Sequence, residues 1–236
     1  MLFSRSQSSR AQCKKRSEKT TTEFDSLEFL RNISCVNTYR LNVNSWSNLL
    51  PSDDIDYDFL LSGVKNGFSI VDHMPQFNSS VLCDNYRSAL SNKRLVEKQI
   101  KIEIENGNYV VTKVKPLITS ALGSVPKDNG SVRLIHDASM PSNFCFNSLV
   151  AEKSCSYMDL NYACKLIKPN DYLCKVDLKN AYKCVSLHES NFHLTGLYWN
   201  FKGDAEDTYF YDIKLLFGAS KSLLSFNVFQ VQCAGS

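Results

Sequence analysis

Two short apolar runs, Leu122 to Pro126 and Val132 to His136, face each other across Asp128-Asn129-Gly130. Those turn residues suit a tight reversal, so the stretch predicts a β-hairpin with a polar tip. It follows Pro116, where the patterning of the chain changes. Upstream, Asp25 to Ile33 and Asp53 to Val64 read as short amphipathic helices. The second opens on acidic residues that suit a positive helix start and exits at Gly63 and Gly67. A longer helix is predicted from Asn85 or Ser88 to Asn106, because Val96, Ile100 and Ile104 recur at helical spacing, with Gly107 as its stop. Downstream, Tyr157 to Leu166 reads as helix and Leu173 to Leu178 as a compact strand. One helical turn at Glu189 to His193 precedes strands at Thr195 to Trp199 and Tyr209 to Ile213, which flank the acidic loop Asp204 to Asp207. Gly218 to Phe229 closes the series as a helix, and the expected class is α+β.

Composition narrows the function classes. At 43% apolar and 11% aromatic residues, wholesale disorder is excluded. A net charge of +3 does not announce a nucleic-acid binder, so any such role must come from where the cations sit. Met1 to about Thr22 is polar and basic, and is expected to be a flexible arm. No run approaches the ~20 apolar residues of a membrane span and no apolar leader segment opens the chain, so an intracellular, cytoplasmic or nuclear protein is expected. Nine cysteines contain no C-x-x-C pair, and the four histidines lack the cysteine or carboxylate spacing of a zinc site. Reduced, mostly buried thiols are the expectation, and His136 reads as a half-buried strand residue. Neither a phosphate-binding G-x-x-x-x-G-K-[ST] loop nor a nucleophile-elbow serine occurs.

Three segments carry chemistry. Lys175-Val176-Asp177-Leu178-Lys179-Asn180-Ala181-Tyr182 puts a carboxylate at a strand end and an aromatic five residues on. Moving a nucleotidyl group requires hard cations held by carboxylates, and a strand-end Asp is rigid enough to bridge them. Val125-Pro126-Lys127-Asp128-Asn129-Gly130-Ser131-Val132-Arg133-Leu134-Ile135 sets two cations beside a hairpin tip that can fold over a triphosphate, Arg133 as a fork and Lys127 as a point charge. In Asp212-Ile213-Lys214-Leu215-Leu216-Phe217-Gly218-Ala219-Ser220-Lys221-Ser222 a strand gives way through Gly218 to small residues that let a ligand approach the backbone. Each alone has a plainer reading, as a turn-forming Asp, a solvated hairpin or helix packing. Only their combination points to chemistry.

In this order the three blocks resemble the fingers hairpin, motif A and motif B of reverse transcriptases, through V-P-K-x-x-G-x-x-R-L-I-H-D, K-V-D-L-K-N-A-Y and F-G-A-S-K-S. The resemblance runs from about Phe59 to Asn227, and Leu61 to Ile70 with Asn85 to Gly107 is similar to the lead-in of DIRS-like (tyrosine-recombinase) retroelement enzymes. It implies an incomplete polymerase right hand: a basic arm at 1–22, a helical N-terminal extension at 23–107, fingers at 108–170 and a partial palm at 171–236. The implied activity is template-directed addition of deoxynucleotides to a primer 3′-hydroxyl, with RNA or DNA template-primer and dNTPs as partners and two Mg²⁺ ions as cofactor. Asp177 is then the motif A metal ligand, helped by the Leu178 carbonyl. Lys127 and Arg133 contact the triphosphate, and Phe217 and Gly218 the nucleotide and template pair. Tyr182 lies under the sugar, where a ring excludes a 2′-hydroxyl and favours dNTPs over NTPs.

The sequence also departs from that pattern. The family's second carboxylates lie in a Tyr-x-Asp-Asp hairpin beyond motif B, and the only Asp-Asp here, Asp53-Asp54, is expected to cap a helix. Leu216 and Leu223 stand where the family usually has proline. The expectation is a front-half fragment or decaying element copy, inactive alone; the competing expectation is a non-catalytic nucleic-acid- or partner-binding remnant.

Overall fold

The computed structural model describes residues 41–71, 74, 79–142, 144–150, 160–172 and 180–219. The basic arm, the helix expected at Asp25 to Ile33, the strand expected at Leu173 to Leu178 and positions 220–229 of the last expected helix lie outside them.

Helix α1 (Val43–Leu49) is capped by Asn42, whose side-chain oxygen accepts the Ser45 N–H. Helix α2 (Tyr57–Asn66) starts later than the acidic pair predicts. Asp54 accepts the Asp56 N–H at 2.8 Å in a turn ahead of the helix, so Asp53-Asp54 forms the lead-in rather than the cap. Gly63 is inside α2, where the Phe68 ring occupies the space of a side chain, and Gly67 alone, at φ 87°, ends the helix. The long helix predicted near Asn85 to Asn106 is two: α3 (Arg87–Ser91) and α4 (Lys93–Glu105). The break falls at Asn92, whose side chain donates back to the Ser88 carbonyl and competes with helix continuation. Gly107 follows α4 at φ 66°.

The hairpin forms from β4 (Ala121–Pro126) and β5 (Val132–Asp137), in antiparallel register with Val125 opposite Arg133. A separate five-stranded mixed sheet is built from β1 (Val81–Leu82), β2 (Tyr109–Thr112), β3 (Ile118–Thr119), β6 (Gly196–Trp199) and β7 (Thr208–Asp212), in the order β1-β3-β6-β7-β2. β1, β3 and β6 run parallel to one another, while β7 is antiparallel to both β6 and β2. One sheet thus joins strands from two distant stretches of the sequence, 81–119 and 196–212. Short helix α5 (Leu160–Leu166) covers the described part of the Tyr157 to Leu166 expectation. The turn predicted at Glu189 is a 3-10 helix, Glu189–Leu194.

Two apolar clusters hold these layers. One gathers Leu60, Phe68, Ile70, Ile118, Phe146, Leu187, Leu194 and Tyr211. The other packs Ala89, Val96 and Ile100 of α3 and α4 on Leu122 and Val132 of the hairpin and on Leu197, Trp199 and Phe210 of the sheet. Val96 and Ile100, both wholly buried, contribute about 1.5–3 kcal/mol each. Among the described residues no helix is long and apolar enough to cross a membrane.

His193 gives the fold a pH dependence. Burial lowers its imidazole pKa from 6.5 to about 4. The unfolded chain therefore takes up the proton first as pH falls, so this contribution is full above pH 6.5 and drains away down to about pH 4. The whole window is worth about 3 kcal/mol, and roughly 2 kcal/mol of it should be lost between about pH 7 and about pH 5. Urea unfolding at both pH values measures this, and His193→Gln should remove that part of the slope.

Candidate functional site

A cavity of about 550 Å³ opens where the two clusters meet, between the hairpin, α4, the exit of β7 and the turn after Asn180. The hairpin side is set by its loop. Lys127 N–H donates to the Ser131 carbonyl at 2.8 Å, and Gly130 N–H to the Lys127 carbonyl at 3.0 Å. Gly130 takes φ 75°, the left-handed position that closes such a loop. Alternation along β5 then buries Val132 and exposes Arg133. At the hairpin base the Tyr86 hydroxyl donates to Asp137, and burial with that carboxylate neighbour pushes the phenol well up from its ordinary range.

On the facing side, Asn180 is left-handed, φ 54° and ψ 38°, a conformation that Asn tolerates better than most residues. It starts the 3-10 turn Ala181–Cys184, which carries Tyr182. The Tyr182 ring meets that of Phe217 edge-on, centroids 5.3 Å apart. Phe217 is 80% exposed, an apolar surface open to a ligand. Gly218 lies so near β5 that a Cβ there would stand 2.9 Å from the His136 carbonyl. Its own carbonyl accepts from the Asn147 side chain at 3.0 Å. The close approach that glycine permits here is therefore to strand backbone of the same chain.

Five residues singled out from sequence, Lys127, Arg133, Tyr182, Phe217 and Gly218, line this single cavity. Asp177 and Leu178 lie outside the described residues, and so does the helix entry from Ser220 onward. Among the described residues, no group of three or more His, Cys, Asp or Glu side chains is placed to hold a metal ion.

The structure adds a charged cluster that the sequence reading left unassigned. Asp212, 1% exposed, receives the Lys183 ammonium at 2.6 Å and has His136 Nδ1 at 3.7 Å from the same oxygen. All three residues line the cavity. Burial alone would raise the Asp212 pKa, but the Lys183 cation and then His136 outweigh it and hold the carboxyl below its ordinary range. Its stabilising part is present above the unfolded carboxyl pKa and is lost as pH falls through the lower folded value. Lys183 also sits 5.0 Å over the Tyr109 ring, whose phenol is pushed up by burial and then by Asp212 and Glu103. His136, expected to be half-buried, is only 8% exposed. An aspartate inside the apolar strand Tyr-Phe-Tyr-Asp-Ile was the available signal, since a buried carboxylate needs a cation. Glu103, on the α4 wall, is engaged by the Asn108 and Gln99 side chains at 2.7 and 2.8 Å.

No family model and no curated protein matches the chain. Solved structures do. The native prototype foamy virus protease-reverse transcriptase is 15% identical with a TM-score of 0.51, over 82% of this chain and 27% of that one. A selenomethionine-labelled CSH mutant of the same viral protein gives 16%, 0.50, 82% and 27%. A foamy viral protease-reverse transcriptase in complex with dsDNA gives 14%, 0.49, 82% and 42%. The chain thus spans well under half the length of these structures. At such identities the likeness carries the fold alone: this chain has a reverse-transcriptase-like fold, mixed α/β with a mixed sheet.

Proposed function

We propose that this chain contains the nucleotide-binding part of an RNA-directed DNA polymerase of DIRS-like retroelement type, acting inside the cell. The observation that supports it best is the convergence of Lys127, Arg133, Tyr182, Phe217 and Gly218 on one cavity from three separate segments. Cations on the hairpin suit a triphosphate, and the exposed Phe217 face suits a base. Tyr182, edge-on to Phe217, is the ring assigned to the sugar.

Mg²⁺ is part of the proposal. Of the cavity's described carboxylates, Asp212 is bound to Lys183 and Glu103 to two amides; the resemblance of the Lys175 to Tyr182 block to motif A is what assigns the metal to Asp177 with the Leu178 carbonyl. Asp177 is three residues from Asn180, which lines the cavity, and covalent reach is ~10 Å over that length. Two such ions, when bound, activate the attacking oxygen and support the leaving group. The chain's own residues bind the triphosphate, stack on the base and shape the sugar site. An RNA or DNA template-primer is the partner this reading requires. Because no Tyr-x-Asp-Asp occurs among the 236 residues, the polypeptide they make up is expected to bind nucleotide without extending a primer.

Calorimetric titration with Mg²⁺ and nucleotides tests the reading. Saturable binding should rank deoxynucleoside triphosphate above monophosphate, and deoxy above ribo. Absence of binding, or equal affinity for nucleoside and triphosphate, would remove the proposal.

A further inference from the structure

The two cavity walls that carry Tyr182 and Phe217 are tied to one buried carboxylate, which also lies beside the Arg133 strand. Asp212 Oδ2 receives Lys183 Nζ at 2.6 Å, and Lys183 directly follows Tyr182 in the 3-10 turn. The same oxygen lies 3.7 Å from His136 Nδ1, and His136 stands three residues after Arg133 on β5. Asp212 Oδ1 accepts the Lys214 N–H at 3.2 Å, at the start of the run that leads to Phe217 and Gly218. Asp212 is itself anchored from the other side: its N–H donates to the Thr195 carbonyl at 3.1 Å, and its carbonyl accepts the Thr195 hydroxyl at 2.8 Å.

We propose that Asp212 is a positioning residue: its carboxylate, fixed in the central sheet, holds the Tyr182 turn and the start of the Phe217 loop in the one arrangement that closes the cavity against the hairpin. This rests on the reading of the cavity as a nucleotide site. The physical basis is the low exposure of the cluster. A buried carboxylate keeps its charge only while cations and N–H groups surround it, so its partners are held in one geometry. An ordinary buried ion pair need not unite functional walls. Here each partner belongs to a different wall, and Lys183, with a 26% exposed side chain, is the one free to swing into the cavity once Asp212 loses its charge.

Asp212→Asn keeps the side-chain shape and an acceptor for Lys214 N–H but removes the charge. Hydrogen exchange followed without ligand should show amides of 181–187 speeding up by about tenfold or more, with the β4–β5 ladder unchanged. Affinity for dNTP with Mg²⁺ should fall by about tenfold, and Lys183→Met added to Asp212→Asn should cost less than the two singly. Val96→Ala, a core variant in α4, supplies the comparison for simple destabilisation: it should lower the melting temperature without selective exchange at 181–187. The proposal is overturned if Asp212→Asn raises exchange no more selectively than Val96→Ala does, or if selective exchange comes with unchanged affinity. If wild-type chain binds no dNTP while the exchange remains selective, the nucleotide reading falls and the tie between walls stands.

Discussion

Phe210→Ala is expected to lower the unfolding free energy by about 3–5 kcal/mol, a large part of the 5–15 kcal/mol that a domain of this kind has in total. Phe210 is wholly buried in β7, between Leu197 of β6 and Val111 of β2. Its ring stacks on that of Tyr109 at 5.3 Å and packs in the cluster of Val96, Ile100 and Trp199. Truncation opens a cavity under two sheet pairings at once, and the fixed backbone on either side leaves little room for collapse. Val111, the direct cross-strand neighbour, is 51% exposed, so Val111→Ala should cost less than about 1 kcal/mol. Urea unfolding of both variants measures the contrast. Comparable losses would mean that β7 does not sit between two packed faces. Because Asp212 ends the same strand, Phe210→Ala should also loosen the cavity wall.

The second large effect concerns ligand. Lys127→Ala with Arg133→Ala is expected to weaken dNTP binding by about 10²-fold or more while leaving the melting temperature nearly unchanged. Hydrogen bonds to charged groups contribute about 1.5–3 kcal/mol each, and two are lost together. Both side chains are exposed and belong to a hairpin whose register rests on backbone pairing and on Val132, so folding does not depend on them. Arg94→Ala, on the exposed face of α4, removes the same charge away from the cavity and should change affinity less than about twofold. Titration of the three proteins at one ionic strength checks this, since surface charge alone would make all of them fall together.

How far the sequence speaks follows from the range of the interactions. The hairpin was legible because its signals are local: alternating apolar residues on both arms and Asn129-Gly130 between them. Strand β6 and strand β7 were legible for the same reason, through aromatic and branched content. β1 and β3, two residues each, are too short to show a period, and they exist only because each finds a parallel partner far along the chain. Tyr109–Thr112 likewise becomes a strand by pairing with β7, about a hundred residues on. In the long helix the apolar spacing was right and the interruption was not, since Asn92 exchanges helix continuation for a side-chain bond to Ser88. Asp53-Asp54 showed the reverse error, with an acidic helix-start pattern that the chain uses for the preceding turn.

Of the site, the sequence indicated the residues at the rim and missed those beneath. Lys127, Arg133, Tyr182, Phe217 and Gly218 belong to short motifs that can be read in order. Asp212 and His136 stand inside the quoted blocks without a role and Lys183 just past one, because their relation is created by burial at the meeting of β5, β7 and the Ala181–Cys184 turn.

The central claim is that this cavity takes a deoxynucleoside triphosphate between the hairpin and the Tyr182 turn. Photo-crosslinking with a base-azido dNTP and Mg²⁺, followed by peptide mapping, tests it most directly. Label should concentrate on the peptides holding Lys127 to His136, Asn180 to Lys183 and Phe217 to Gly218, and unlabelled dNTP should compete it away. Label spread over the surface, or left in place by excess dNTP, would contradict the account.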